Sequence, residues 1–151
     1  MTLDLIYGAD AALVLWAENR IPMARFRSDA QAIGVSLAGQ LQAVFIYDTF
    51  AEGGCFMHVA AKGRHWLPED PRQVMIPVFA FPFIQCQFRR ISCVISERNR
   101  PSLAFARWCG CRREGVMRKA APDGSDFVLL GMLREECRWV RPSLVKSAVA
   151  L

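Results

Sequence analysis

Residues 97–118, ERNRPSLAFARWCGCRREGVMR, change character three times in twenty-odd positions, and their reading decides the architecture. Asn99 and Arg100 make a polar turn. Pro101 follows at the first helical position, where a missing N–H costs nothing because that group has no intrahelical partner. Residues 102–108 carry apolar side chains at helical spacing, and Gly110 supplies the left-handed residue that ends a helix. The chain then resumes from Cys111 as a basic strand. Immediately upstream, RRISCVIS (89–96) is rich in β-branched residues and reads as another strand. Downstream, the turn APDGSD leads into DFVLLGMLREECRWV (126–140), a last strand.

Working back to the N-terminus, residues 2–7 alternate enough for a short strand. Asp10 is placed to cap a helix carrying Ala11, Leu13, Val14, Leu15, Trp16 and Ala17, which runs to about Arg20 and is ended by Pro22. Two β-rich runs, 32–37 and 42–47, are joined by the tight turn AGQL, and AEGG turns the chain into CFMHVAA (55–61). The loop KGRHWLPEDPRQ ends in a helix start at Glu69, Asp70 and Pro71. The apolar run after it is expected to wind as a helix interrupted near Pro77 and Pro82. The order is thus β-α-β-β-β-α-β-α-β-β, an α/β chain whose sheet needs helices on both faces.

The 151 residues fit one domain, with 53% apolar and 22% charged residues and no linker, repeat or low-complexity tract. Its parts are a first strand and helix (1–20), a three-strand meander (30–61), helices and a strand (62–110), a C-terminal hairpin (111–140) and a tail (141–151). That tail reads equally as a frayed end, a short helix or a homodimer contact. The N-terminus has acids where an export signal would have a basic leader, and the run 74–86 is too short to span a bilayer and holds two prolines. The expectation is a cytoplasmic protein without membrane insertion. Six cysteines then read as reduced, mostly buried thiols, and the C-x-C of Cys109 and Cys111 is a weak metal signal. A net charge of +5 suits an anionic partner, whether a phosphorylated cofactor, an acidic protein or nucleic acid, and suits a solvated basic surface as well.

This order of elements, with the 97–118 stretch, resembles the GNAT superfamily of acyl-CoA-dependent N-acetyltransferases, and within it the small GNAT-like proteins of bacteriophage genomes. The likeness is carried by the strand running to Asn99, the short helix to Trp108, Gly110, the Glu114-Gly115 pair, Arg118 and the final strand LLGMLREECRW, and spans about residues 55–139. It implies a mixed, mainly antiparallel twisted sheet of about seven strands with helices on both faces. It also implies acetyl-CoA, or another acyl-CoA, as cofactor, and transfer of the acetyl group to an unidentified amine by direct attack in a ternary complex.

Two departures stand out. Where relatives carry a glycine-rich pyrophosphate loop, this chain has KGRHWLPEDP, with Lys62, Gly63 and Arg64 positioned to supply charge and backbone donors. Where many relatives carry the tyrosine that protonates the leaving thiolate, it has Ala106, and Cys111 replaces the aromatic after the helix-ending glycine. By the same resemblance, backbone groups around Met57 and Val59 hold the pantetheine arm in the gap where the fourth strand splays from the fifth.

Among the side chains, His58 is a candidate base because imidazole titrates near neutral pH, against the alternative of a satisfied core histidine. Glu97 and Asp48, at strand ends, are rival bases or solvated charges. Asn99 could bond the pantetheine arm or fix its turn, and Ser102 could bond cofactor or cap its helix. Cys109 as a nucleophile needs a lowered pKa for which no partner is visible. Trp108, at helical spacing, is expected in the core. Beside the enzyme reading stand two others: a catalytically inactive binding module for a host protein, and a protein that modifies or binds nucleic acid.

Overall fold

The computed structural model describes residues 2–21 and 24–140. Pro22, expected to end the first helix, and the tail 141–151 lie outside the described residues. The elements are β1 (Leu3–Ile6), α1 (Asp10–Glu18), β2 (Gln31–Leu37), β3 (Gln40–Asp48), β4 (Gly54–Ala61) and α2 (Arg72–Ala80), then β5 (Arg90–Ser96), α3 (Arg100–Cys109), β6 (Arg112–Met117) and β7 (Phe127–Leu133). Their order is the one expected. The strands form one seven-stranded sheet in the spatial order β1-β2-β3-β4-β5-β7-β6. Every neighbouring pair is antiparallel except β4 and β5.

Period two along the strands separates the two faces. Phe45 and Tyr47 of β3 point to one side, where Val74, Met75, Val78 and Phe79 of α2 and Cys109 of α3 complete the main core. Val44 and Ile46 point to the other, against Leu13 and Ala17 of α1. Phe45, Tyr47, Phe83 and Phe79 are almost wholly removed from water, each such side chain stabilising the fold by roughly 1.5–3 kcal/mol. The Tyr47 hydroxyl donates to the Val78 carbonyl at 2.6 Å, tying β3 to α2 without leaving a buried polar atom alone.

Local details differ from the sequence expectations, each for a physical reason. Asp10 is the first residue of α1 rather than its cap; its carboxylate accepts the Ala32 N–H of β2 at 2.9 Å, so it docks the helix on the sheet. The helix stops at Glu18, two residues short of Arg20. The AGQL turn, by contrast, is the tight hairpin expected: Ala38 and Gly39 both take positive φ (51° and 80°), as a two-residue hairpin twisted like its strands requires. Pro77 sits inside α2 without ending it, and the chain passes directly into a π-helical turn, Phe81–Gln85, that contains Pro82. The last strand does not reach Val140: β7 ends at Leu133 and a 3-10 turn, Arg134–Glu136, follows. Trp108 is 39% exposed rather than in the core, covered on one side by Phe105 and Trp139.

Candidate active site

β4 and β5 pair over only three positions, Gly54↔Arg90, Cys55↔Ile91 and Phe56↔Ser92, and then part. From Met57 onward β4 remains bonded to β3 through to Ala61↔Ala43, while β5 continues along β7 to Ser96↔Phe127. The result is a wedge in the middle of the sheet. Backbone direction along β4 follows from its ends: the Lys62 N–H reaches Gln42 of β3, whereas the Gly53 carbonyl accepts from Arg89 on the β5 side. With two-residue alternation, the N–H and C=O groups of Met57, Val59 and Ala61 point into the wedge. Unpaired strand backbone of this kind is a ready hydrogen-bonding edge for an extended ligand.

A cavity of about 540 Å³ occupies the wedge and is lined from both faces of the sheet. On the α2 and α3 side it is walled by Met57, Val59, Phe79, Cys93, Phe105 and Cys109; on the α1 side by Phe26, Asp48, His58, Val94, Ser96 and Phe127. Such a shape suits an acyl-pantetheine arm entering from one face and a second molecule meeting its end from the other.

His58 and Asp48 sit together on the α1 side. Asp48 lies opposite Phe56 and Ile46 opposite His58, so the two are diagonal neighbours across the antiparallel pair, within reach of each other. The His58 Nε2 atom is 2.8 Å from Asp48 Oδ1. Asp48 is only 5% exposed. Burial by itself would push its carboxyl up, but the bond and charge of His58, the Arg27 N–H and the Thr49 hydroxyl together hold it below the usual value. An ionised Asp48 only accepts, so Nε2 is the ring nitrogen that carries a proton toward it, and in the neutral imidazole Nδ1 then holds the lone pair. The Phe26 ring, 5.0 Å from the imidazole centroid to centroid, closes one side.

A folded-state pKa below the unfolded one makes a contribution to stability that is present above the unfolded value and disappears as pH falls through the folded one. The stability difference between wild type and Asp48→Asn should therefore shrink as pH falls below about 4. Urea unfolding across that range measures it; a difference that grows on acidification contradicts the assignment.

The other sequence candidates are distributed unevenly. Asn99 and Ser102 both line the cavity, and Asn99 caps α3: its Oδ1 accepts the Ser102 N–H at 3.3 Å. Asn99→Ala should cost about 1 kcal/mol of stability, read by chemical denaturation. Glu97 is exposed beyond the end of β5 and is not part of the cavity wall, so the structure does not bring it to His58. Lys62, Gly63 and Arg64 are exposed in the loop before α2 and also stay outside the cavity. Within that loop Trp66 turns inward and packs against Phe45 and Phe105. Asp70 takes the Arg72 N–H and its guanidinium, so the first donor of α2 is already engaged. Burial pushes the Cys109 thiol well up, the opposite of what a nucleophile needs. Arg25 and Phe26, in the segment after α1, were not legible as site residues, because nothing in their spacing marks them.

No protein-family model and no curated protein sequence matches the chain. Solved structures do. A mutant of spermidine N-acetyltransferase SpeG from Vibrio cholerae superposes with a TM-score of 0.75 at 11% identity, over 93% of this chain and 98% of that one. Another SpeG mutant gives 0.72 at 13% identity, over 95% and 99%. A GNAT-family acetyltransferase from Bacillus anthracis gives 0.58 at 22% identity, over 70% of this chain and 67% of that one. In strand order, in helix placement and in these superpositions, the chain adopts the fold of the GNAT acetyltransferases.

Proposed function

We propose that this chain is an acetyl-CoA-dependent N-acetyltransferase. The observation that carries the reading is the cavity through the β4–β5 wedge, with unpaired β4 backbone on its margin and the His58–Asp48 pair on the face opposite α2 and α3. The wedge fits the pantetheine arm: Met57, Val59 and Ala61 would bond it through backbone groups, and Asn99 and Ser102 would border it. At the pyrophosphate end the fit rests on side chains, Lys62 and Arg64, because Asp70 occupies the first N–H of α2.

Bound acetyl-CoA supplies an activated acetyl group on a thiolate leaving group. The chain's own work is to place an amine and take its proton. Entering from the α1 side, the amine nitrogen is held near His58, whose Nδ1 accepts the proton as nitrogen attacks the carbonyl carbon. Asp48 fixes the tautomer and stabilises the imidazolium that results. As the C–S bond breaks its electron pair goes to sulfur. With Ala106 at the position of the usual tyrosine, water or the imidazolium returns a proton to the thiolate.

Calorimetry and thermal unfolding with acetyl-CoA test the reading. Saturating acetyl-CoA should release heat and raise the midpoint temperature, by linkage; the absence of both effects overturns it. The engaged α2 N-terminus and Ala106 also suit a second reading, a descendant of the fold that binds without catalysis. Binding of acetyl-CoA with no amine-dependent release of its thiol distinguishes that case.

A further inference from the structure

We infer that the amine accepted at the His58 side is a monoamine with an uncharged, apolar or aromatic body, and not a polyamine. The inference deepens the transferase reading and rests on it. Beside the hydroxyls of Thr49 and Ser96, the acceptor half of the cavity is walled by Ile21, Ala24, Phe26, Val94, Pro122 and Phe127. Its one carboxylate is Asp48, and that group is already bonded to His58 at 2.8 Å, with the Thr49 hydroxyl at 3.4 Å and the Arg27 N–H at 3.5 Å. The remaining charge at the wall is Arg25, a cation that is mostly exposed and whose guanidinium is anchored on the Ala24 carbonyl at 2.6 Å.

A polyamine brings a second ammonium several ångströms from the reacting one, and that charge needs a carboxylate or water. Here its charged neighbour at the wall would be Arg25, because the acids next in sequence to wall residues, Glu97, Asp123 and Asp126, do not line the cavity, and Glu18, also outside it, already faces Arg25 at 4.0 Å. The undescribed residues add no side-chain acid, since Met1, Pro22, Met23 and residues 141–151 include neither Asp nor Glu. An apolar body instead gains by leaving water against Phe26 and Phe127, and the reacting nitrogen reaches His58 as the neutral amine. Specificity then combines an attractive wall with a repulsive charge.

The test uses 2-phenylethylamine and spermidine as probes on the full chain. The chain has two histidines, His58 and His65, so imidazole NMR signals are assigned with His65→Gln, a change in the exposed loop. In the presence of coenzyme A, 2-phenylethylamine should shift the His58 signals at concentrations where spermidine does not. In turnover, kcat/KM for 2-phenylethylamine should exceed that for spermidine by about tenfold or more, and Arg25→Glu should narrow that ratio. Spermidine binding or reacting as well as the aromatic amine overturns the inference, as does the absence of any His58 shift with either probe. A His58 shift by the aromatic amine alone, without turnover, upholds the amine pocket and removes the transferase reading.

Discussion

His58→Gln should lower kcat/KM for acetylation by about 10²–10⁴ while leaving acetyl-CoA affinity nearly unchanged. Glutamine keeps an N–H that can still donate to Asp48, so the buried carboxylate is not stranded and the fold is retained. What it lacks is the second ring nitrogen, the atom free to take the amine proton. Because that proton moves only on the way to the transition state, the loss should fall on kcat rather than on the KM for acetyl-CoA. Asp48→Asn should also lower kcat, since an amide no longer fixes one tautomer of the imidazole, but the base itself survives and the loss should be smaller. Steady-state kinetics with saturating acetyl-CoA measures both, and full activity in His58→Gln would show that the amine loses its proton elsewhere.

Gly54→Val should destabilise the protein by about 3 kcal/mol, lowering the thermal midpoint by roughly 6–12 °C for a chain of this size. A Cβ at position 54 would stand 2.5 Å from the Arg90 carbonyl oxygen and 3.0 Å from Arg90 Cγ. The first obstacle is backbone, so it cannot swing aside. Gly54↔Arg90 is moreover the first of only three pairs joining β4 to β5, at the closed end of the ladder whose last pair, Phe56↔Ser92, is where the wedge opens. Gly63→Ala is the matched control: nothing lies within 4 Å of a Cβ there, so stability should stay within about 0.5 kcal/mol. Calorimetric melting of the two variants decides. If Gly54→Val melted with wild type, β4 and β5 would have room to shift apart and the wedge would not be rigidly set.

The two predictions bear on different levels of the same design. At the closed end, a residue without a side chain lets two parallel strands approach; after Phe56↔Ser92 nothing pairs β4 to β5, and the cavity occupies the gap. The proposed chemistry on the α1 side would depend on that gap, through which a base on one face would reach an acyl group carried on the other.

Much of this was legible in the residues. β-rich runs and the tight turns between them marked β2, β3 and β4, and the Pro101 to Gly110 span marked α3 within a residue or two at each end. The order of elements, and with it the fold, follows from such local signals, since turn chemistry and periodicity are properties of short stretches. Local signals failed where a distant partner outweighed them. Asp10 looks like a cap, yet Ala32 takes its carboxylate. Trp108 has the spacing of a core residue, but α3 turns that side chain outward.

The site divides along the same line. The sequence by itself determined which residues carry usable groups, His58, Asp48, Asn99 and Ser102 among them, because chemistry belongs to side-chain type. Tertiary structure decided which of these meet. The β3–β4 register brings Asp48 to His58, the short β4–β5 pairing turns backbone into a binding edge, and the same geometry leaves Glu97 out in solvent. Contacts between residues ten to seventy positions apart are set by strand register and helix docking, and no local pattern of residue types encodes those distances.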